Sequence, residues 1–323
     1  MTLRDMKLAL VIGATGGIGG AVAERLVAQG WRVRAMNRNP QAARVGREAF
    51  EWVKGDAMFE ADVVAAATDV SLIVHGANPP GYKNWAGLQL PMLNATIAAA
   101  RASGARIVFP GTVYNYGPEA FPLIDEAAAQ TPVTRKGAIR VQMEQALRKA
   151  GVKVLIVRSG DFFGPKPGNN WLSQGMVKPG KPLAAISYPG SMAIAHCWAY
   201  LPDVAETMVT LAMRDDLVDF DTFHMRGHTL SGGELVDALS QAAGRKLSVS
   251  RLPWIAIKAI AAFNETMREM LEMRYLWDRP VLLDNAKLVA RLGEEPNTPI
   301  AQALKAALAG IDALPRPVLK LAA

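Results

Sequence analysis

Cysteine and histidine are scarce in this chain of 323 residues, which has one of the former and four of the latter. A single cysteine, Cys197, excludes an intramolecular disulfide framework and a cysteine-based zinc ribbon. The four histidines, at positions 75, 196, 224 and 228, lack the close spacing of a metal site. Long apolar runs are also missing, because 8–20 is short and rich in glycine and 254–263 contains Lys258. The sequence therefore predicts no metal centre of this kind and no membrane-spanning helix.

A concentrated block of basic residues is absent too. Lysine and arginine number 36 against 29 acidic residues, which gives a formal net charge of +7, but the basic positions are scattered. A nucleic-acid-binding protein more often carries a basic stripe with interleaved aromatics. Arg4 and Lys7 precede an apolar run, as in a secretory signal, yet a glycine pattern that starts at Gly13 continues that run. We expect a cytoplasmic protein whose partner is a small molecule rather than nucleic acid or a membrane; a homodimer is a compatible assembly.

Short β-rich apolar runs alternate with amphipathic helical stretches through the first half of the chain. Strands are predicted at 7–12, 31–36, 50–53, 71–75, 105–109 and 152–158, and helices at 17–29, 62–67, 85–103 and 135–150. This alternation, with right-handed crossovers, predicts an α/β fold with a Rossmann-type doubly wound parallel sheet. The chain from Gly227 onward reads as mainly helical, including 254–274. We expect a dinucleotide-binding domain at 1–165, to which 192–226 return, and a smaller, mainly helical C-terminal substrate-binding domain formed by 166–191 and 227–323.

The first predicted strand runs into a glycine-rich turn. Its residues are Gly13, Ala14, Thr15, Gly16, Gly17, Ile18 and Gly19. Gly13 permits a tight turn, Gly16 lets the backbone approach a pyrophosphate, and Gly19 allows the following helix to pack closely on the strand. The exposed N–H groups and the positive helix end would then hold the anion. This strand–turn–helix context predicts a dinucleotide site.

The spacing Gly-x-x-Gly-x-x-Gly resembles that of the short-chain dehydrogenase/reductase superfamily, and further motifs agree with it. These are Gly55-Asp56, His75-Gly76-Ala77-Asn78 and the segment Arg158-Ser159-Gly160-Asp161-Phe162-Phe163-Gly164-Pro165. The resemblance covers roughly 7–310 and is to extended or atypical members of the NAD-dependent epimerase/dehydratase type. It implies cofactor contacts at Asp56, Ala57, Gly76, Ala77, Asn78 and Ser159.

The end of the second predicted strand indicates which nicotinamide cofactor binds. An acidic residue there would hold the adenosine ribose hydroxyls of NAD, but the sequence reads Met36-Asn37-Arg38-Asn39. The planar guanidinium of Arg38 is suited to a 2′-phosphate. We expect NADP, bound through Arg38 together with Asn37, and NAD is the alternative.

The superfamily's catalytic residues are a Ser/Thr hydroxyl, a Tyr that passes a proton to the substrate oxygen, and a Lys four residues after that Tyr. Thr112 matches the first of these. The Tyr and Lys should fall near 136 and 140, where this chain has Lys136 and Arg140. Arginine does not titrate near neutrality, so Arg140 can hold phosphate or ribose but cannot shuttle protons. Both family identities are absent.

Two residues are candidates to replace the missing acid. Lys136 resembles the catalytic lysine of isoflavone-reductase-like enzymes. Arg140 lies one helical turn away, and its charge should lower the pKa of Lys136. Lys136 and Arg140 are also expected to contact the cofactor. Tyr114 is the alternative because it follows the fifth strand, where alternation favours it over Tyr116. His196 is a candidate for the substrate pocket, but we expect a hydrogen-bonded structural histidine instead. If none of these acts, Lys136 and Arg140 only bind phosphate or solvate their helix face, and catalysis is lost.

Two functions of different classes fit these residues. The first is an NADP-dependent oxidoreductase that acts on a small carbonyl or hydroxyl compound. The second is a cofactor-binding sensor without turnover, similar to the nitrogen-repression regulators of the same superfamily. A full C-terminal domain favours the enzyme, because a sensor needs no substrate pocket. For that pocket we expect an apolar wall that includes Trp171, Tyr188, Trp198, Met267, Met270 and Met273.

Overall fold

The computed structural model describes residues 7–79, 84–166, 168 and 170–314. Its strands are β1 Leu8–Ile12, β2 Arg32–Asn37, β3 Glu51–Lys54, β4 Leu72–His75, β5 Arg106–Gly111, β6 Leu123–Ile124, β7 Val154–Arg158, β8 Asp161–Phe163, β9 Ala185–Tyr188, β10 Ala195–Tyr200, β11 Phe220–His224, β12 His228–Ser231, β13 Ser248–Arg251 and β14 Leu282–Leu283. Its α-helices are α1 Gly17–Ala28, α2 Pro40–Arg44, α3 Glu60–Ala66, α4 Trp85–Ser103, α5 Arg135–Lys149, α6 Leu201–Ala212, α7 Gly232–Ala243, α8 Trp254–Ala261, α9 Glu265–Glu272, α10 Ala286–Leu292 and α11 Ile300–Gly310. Within these described ranges, no helix combines the length and the hydropathy needed to cross a bilayer.

Seven parallel strands form the central sheet, in the order β11-β7-β5-β4-β1-β2-β3. The chain builds from β1 to β3 on one side, then crosses over to β4 and continues to β11 on the other side. The order reverses between β1 and β4, and a doubly wound sheet binds its ligands at such a point, beyond the carboxyl ends of the strands. The predicted Rossmann-type α/β fold is confirmed.

Alternation along the strands buries a layer of helices on each face of the sheet. In β1, Leu8, Leu10 and Ile12 pack with α3, α4 and α5, whereas Ala9 and Val11 pack with α1 and α6. All five residues are buried, as expected for a parallel sheet that is covered on both faces. Apolar burial stabilises a fold by about 25 cal/mol per Å², so these two layers hold the sheet and the strand ends in place.

The remaining described residues form three small sheets and the helices α7 to α11. β10 pairs with β8 and β12, β13 pairs with β9, and β14 pairs with β6. Within 192–226, β11 joins the central sheet and α6 covers it, whereas β10 belongs to a small sheet. Trp171, Trp198 and Trp277 pack together in the core of this region.

The apolar run at 254–274 is not one helix, contrary to the expectation from its sequence. α8 ends at Ala261, and α9 begins at Glu265 after Asn264. The Asn264 side chain accepts a hydrogen bond from the Met267 amide (3.1 Å). A capping asparagine satisfies a backbone amide at a helix start and so stabilises the break. The second helix, α9, brings Glu269 against α5.

Candidate cofactor and substrate site

The turn between β1 and α1 requires close approach of backbone atoms. Gly13 has a φ of +89°, and a Cβ on it would lie 2.5 Å from the carbonyl oxygen of Gly76. A Cβ on Gly19 would overlap the Gly13 carbonyl, so α1 packs directly on the strand end. Gly16 is the N-cap of α1, and the first turn of this helix has no acidic residue. These amides and the positive helix end fit a pyrophosphate, as a dinucleotide-binding turn requires.

A small cavity adjoins this turn. Thr15, Gly16 and Gly17 line it together with Arg47 and Lys166. Glu24 also lines the cavity and pairs with Lys166 (2.7 Å), so Arg47 is the cation that favours an anion at this place. Arg47 was not predicted, because nothing in its local sequence distinguishes it from the other arginines nearby.

Gly168 lies across the N-terminus of α1. A Cβ on Gly168 would lie 3.3 Å from the amide nitrogen of Gly17. Two residues earlier in the chain, Lys166 Nζ binds Glu24 Oε1 of α1 at 2.7 Å. The Gly17 amide belongs to the first helical turn, whose N–H groups donate to a bound phosphate. Gly168 therefore adjoins the amides that a pyrophosphate would contact.

Asn37 and Arg38 lie beside the glycine turn, because Met36 of β2 pairs with Ile12 of β1 and both strands end there. The Asn37 Oδ1 accepts a hydrogen bond from the Asn39 amide (2.8 Å), and Arg38 is exposed. The end of β2 thus presents a guanidinium and no carboxylate. Contact with the adenosine part of a cofactor remains a prediction for both residues.

Asp56 and Ala57 form the turn after β3. The Asp56 Oδ1 accepts from the Met58 amide (3.0 Å), and the Asp56 amide donates to Asp62 Oδ2 (2.9 Å). The Asp56 carboxylate therefore stabilises its own turn, and the Asp62 carboxylate ties that turn to α3. An adenine contact at these two residues also remains a prediction.

The main cavity opens at the carboxyl ends of β4, β5 and β7. Of the residues singled out from the sequence, it is lined by Ile18, Gly76, Ala77, Asn78, Thr112, Tyr114, Arg140 and Ser159. Its wall also includes His75, Trp85, Asp161, Asn170 and Trp171. The fold thus gathers residues from separate sequence motifs around one crevice, at the place where a doubly wound sheet binds its ligand.

Arg140 supplies a fixed positive charge to this cavity. Its Nη2 donates to the Pro110 carbonyl, and its guanidinium lies over the Phe109 ring, 4.4 Å from the centroid. Burial lowers the pKa of Arg140 to about 10, and the Tyr114 side chain is among the groups that oppose this shift. Arg140 and Tyr114 therefore interact electrostatically. At neutral pH the guanidinium is charged and cannot act as a proton shuttle.

His75 is held neutral beside the main cavity. Its Nδ1 is 2.7 Å from Thr96 Oγ1, and that hydroxyl donates to the Met92 carbonyl (3.1 Å). The hydroxyl proton is thus engaged, so His75 Nδ1–H is the donor to Thr96. Burial, reinforced by the Arg140 charge, lowers the pKa of His75 to about 3. His75 has no proton to give as an acid near neutral pH.

Thr112 is anchored by a buried polar network behind the cavity. Its hydroxyl donates to Asn115 Oδ1 (3.2 Å), and its carbonyl accepts from Arg158 Nη1 (2.5 Å). Arg158 also pairs with Glu144 (2.8 Å) and donates to His224 Nε2 (3.1 Å). Burial would raise the pKa of Glu144, but the Arg158 guanidinium outweighs it and holds that pKa below its ordinary value. The ionised pair keeps Thr112 in place at the end of β5.

Lys136 lines a second cavity and not the main one, and its expected contact with the cofactor stays a prediction. Its Nζ lies 3.3 Å from Glu269 Oε2 and donates to the Glu269 carbonyl (3.2 Å). The side chains of Lys136 and Glu269 are only 2% and 5% exposed. Burial lowers the pKa of Lys136, and the Glu269 carboxylate opposes the shift. The pKa of Lys136 is lowered, as expected, but the cause is burial rather than the charge of Arg140.

The second cavity lies beside the main one, and the two share Tyr114, Asn170 and Trp171. Its other lining residues are Lys136, Gln174, Gly175, Thr266, Met267, Met270 and Met273. The expected apolar wall is therefore formed by Trp171 and the methionines. Tyr188 and Trp198 pack instead around Trp277 in the core, outside both cavities. Asn170 and Gln174 carried no motif that could have identified them from the sequence.

Tyr114 and Tyr116 have different surroundings. β5 ends at Gly111, and 113–115 form a single 3₁₀ turn, so the strand alternation expected for these tyrosines does not apply. Tyr114 is half-buried and lines both cavities. The Tyr116 hydroxyl is buried 3.4 Å from His224 Nε2, and burial raises its pKa. The turn thus presents Tyr114, with Thr112, to the cavities and packs Tyr116 into the core.

His196 does not line either cavity but binds a residue that does. Its Nε2 is 2.6 Å from Asp161 Oδ2, and its ring stacks on Trp277 with centroids 4.0 Å apart. Asp161 belongs to the segment 158–165 that resembles the family motif, and the sequence assigns it no role of its own. The neighbouring Cys197 is inert, because burial raises the pKa of its thiol to about 12.

Fold and site together define a dinucleotide-binding protein of the Rossmann type. A family model described as NAD(P)H-binding matches residues 13–181, which is more than half of the chain, and the chain belongs to this NAD(P)H-binding family. A comparison with curated proteins finds no match.

Solved structures of similar fold include several sugar-nucleotide enzymes. UDP-glucose 4-epimerase from Brucella ovis, in complex with NAD, has a TM-score of 0.73 and 16% identity over 94% of this chain and 98% of its own. The Bordetella bronchiseptica enzyme WbmH, in complex with NAD+, has a TM-score of 0.68 and 21% identity over 95% and 98%. UDP-glucuronic acid 4-epimerase from Bacillus cereus has a TM-score of 0.69 and 15% identity over 95% and 99%. The resemblance to extended short-chain dehydrogenases/reductases is confirmed at the level of the fold.

Proposed function

We propose that the protein is an NAD(P)-dependent oxidoreductase that interconverts a hydroxyl and a carbonyl group on a small, largely apolar substrate. The observation that carries this proposal is the position of Tyr114. It lines the main cavity, beside Thr112 and Arg140, and also the second cavity. A group at such a junction can contact a substrate that lies in one cavity and reacts in the other.

The roles of the chain's own residues follow from this arrangement. A bound nicotinamide cofactor supplies or accepts the hydride. The Tyr114 hydroxyl would hold the substrate oxygen and exchange a proton with it as the hydride moves. The Thr112 hydroxyl donates to Asn115, so its oxygen would accept a hydrogen bond from a substrate hydroxyl. The nearby Arg140 guanidinium favours the phenolate form of Tyr114 by charge attraction. Tyr114 and Arg140 together would then replace the Tyr and Lys that are missing from α5.

The lining of the second cavity supports an apolar substrate rather than a sugar nucleotide. A diphosphate is bound by cations with free hydrogen-bonding capacity. Among the described residues that line this cavity, Lys136 is the one cation, and Glu269 already neutralises it. The wall formed by Trp171 and the methionines instead fits an aryl or alkyl group.

A panel assay tests this function. The protein would be incubated with NADP⁺ or NAD⁺ and aryl or alkyl alcohols, and with the reduced cofactors and the matching ketones or aldehydes, while nicotinamide absorbance is followed. UDP-sugars form the matched panel. Turnover of the apolar panel is expected. Turnover of UDP-sugars alone would contradict the substrate class, and tight cofactor binding without turnover of either panel would favour the sensor function.

We further propose that NADP is preferred to NAD, because the end of β2 presents Arg38 and no carboxylate. Arg38→Ala is expected to weaken NADP⁺ binding by about 1.5–3 kcal/mol, the usual contribution of a hydrogen bond to a charged group, and to leave NAD⁺ binding unchanged. Calorimetric titration measures both. Arg44→Ala is the control, since Arg44 is an exposed arginine farther along α2. An equal loss of affinity for the two cofactors, or no loss of affinity for NADP⁺, would refute the preference for NADP.

Gly16→Val tests the phosphate turn. A Cβ on Gly16 would meet only the Gly13 carbonyl, at 3.3 Å, and the φ of Gly16 is −85°. The contact is tight, and a small shift of that carbonyl makes room for a side chain. The valine would occupy the space that a pyrophosphate needs. We expect cofactor affinity to be lost while the melting temperature stays close to that of the wild type, and Gly16→Ala to show a smaller loss. Wild-type affinity in a folded Gly16→Val variant would place the dinucleotide elsewhere.

A further inference from the structure

Asp161 presents a carboxylate to the main cavity. It begins β8, directly after Ser159 and Gly160 at the carboxyl end of β7, and only 8% of its surface is exposed. Its Oδ2 is occupied by His196 (2.6 Å). Within the described part of the chain no residue donates a hydrogen bond to the other oxygen, Oδ1. A buried carboxylate that has one oxygen bonded to a histidine and the other without a donor can accept a hydrogen bond from a ligand in the cavity.

The hydrogen-bond geometry assigns the charge of this pair. His196 Nδ1 is buried and has no hydrogen-bond partner among the described residues. A doubly protonated ring would therefore leave a buried N–H unsatisfied, which is costly. The neutral ring with its proton on Nε2 donates to Asp161 Oδ2, and the stack on Trp277 holds the ring in that orientation. The pair then carries one negative charge, located on Asp161.

The topology places this charge at one end of a bound dinucleotide. The pyrophosphate site is at the β1 turn, and the predicted adenosine contacts lie toward β2 and β3. The other half of a dinucleotide, which carries the nicotinamide, would extend over β4, β5 and β7 on the far side of the switch point. Asp161 lies at the end of β7, on that far side. Arg140 is the other charged residue among the described residues that line the cavity, and its guanidinium is bound to the Pro110 carbonyl at the end of β5.

We propose that Asp161, held in place by His196, makes the protein bind the oxidised cofactor more tightly than the reduced one. This inference rests on the proposed function. The oxidised nicotinamide ring carries a positive charge and the reduced ring is neutral, whereas the rest of the cofactor is unchanged. A carboxylate that is only 8% exposed attracts the charged ring, since charge interactions are strong where the local dielectric constant is low. Asp161 is thus a specificity-determining residue for the oxidation state.

The test measures the dissociation constants of NADP⁺ and NADPH by calorimetry for three proteins. The wild type is expected to bind NADP⁺ more tightly than NADPH. Asp161→Asn keeps the size of the side chain and removes its charge, so it should reduce this preference about tenfold, mainly through weaker binding of NADP⁺. Asp216→Asn is the control because it changes the net charge equally at an exposed residue that pairs with Arg214 and Arg291; its preference should equal that of the wild type.

The outcomes separate this inference from the function on which it rests. A wild type that binds both forms equally, or NADPH more tightly, would overturn the role of Asp161, and this comparison holds even where Asp161→Asn does not fold. An unchanged preference in folded Asp161→Asn would overturn it as well. If the wild type binds neither form, the proposed function itself fails. If the wild type binds NADP⁺ and NADPH but does not prefer NADP⁺, the oxidoreductase proposal remains intact.

Discussion

Replacing Tyr114 with phenylalanine is expected to lower turnover by about 10²–10⁴-fold, the usual contribution of a general acid or base. The phenol is the titratable group that the two cavities share, and phenylalanine keeps its ring while removing the proton. Cofactor affinity should change little, because the glycine turn and the end of β2 are untouched. Initial rates on a substrate from the panel assay, together with cofactor titrations, measure the two effects separately.

Tyr116→Phe is the matched control for this experiment. Tyr116 is two residues away and fully buried, with its hydroxyl near His224 rather than in a cavity. We expect it to retain turnover. If Tyr114→Phe keeps full activity while loss of the Lys136 ammonium abolishes it, the lysine is the acid. If both variants keep full activity, neither residue supplies the proton.

Lys136→Met is expected to lower the free energy of unfolding by about 3–5 kcal/mol, because removal of one partner leaves a buried charge uncompensated. Here the charge left behind is the carboxylate of Glu269, whose side chain is only 5% exposed. Lys136 belongs to α5 and Glu269 to α9, so the pair joins the central layers to the C-terminal helices. Urea denaturation followed by circular dichroism measures the change.

The double variant Lys136→Met/Glu269→Gln isolates the cause. Removal of both charges should recover most of the lost stability, since replacing a whole buried ion pair is often nearly neutral. Lys258→Met on the neighbouring helix α8 is the control, because Lys258 is exposed and should change stability by less than about 0.5 kcal/mol. A single variant as stable as the wild type would mean that the buried pair contributes nothing. The double variant is also the proper background for testing whether Lys136 takes part in catalysis.

Features that depend on short stretches of chain could be predicted from the sequence. Alternation of apolar strands and amphipathic helices predicted the Rossmann sheet, because the period of burial is local to each element. The glycine turn was identified in the same way. Gly13 needs a positive φ and Gly19 cannot carry a Cβ, and both requirements are visible as residue types at fixed spacing. The departure at Lys136 and Arg140 was also visible, since it is a comparison of identities at two positions.

Only the tertiary structure decided how the unusual residues are used. Lys136 and Arg140 lie one turn apart on α5, yet Lys136 pairs with Glu269 and lines the second cavity, whereas Arg140 lines the main cavity. Glu269 is 133 residues away from Lys136, and His196 is 35 residues from Asp161. Such partners are set by the packing of helices and sheets that are distant in sequence, and no local pattern encodes them. For the same reason the pKa of Lys136 is governed by burial, which its neighbours in sequence could not reveal.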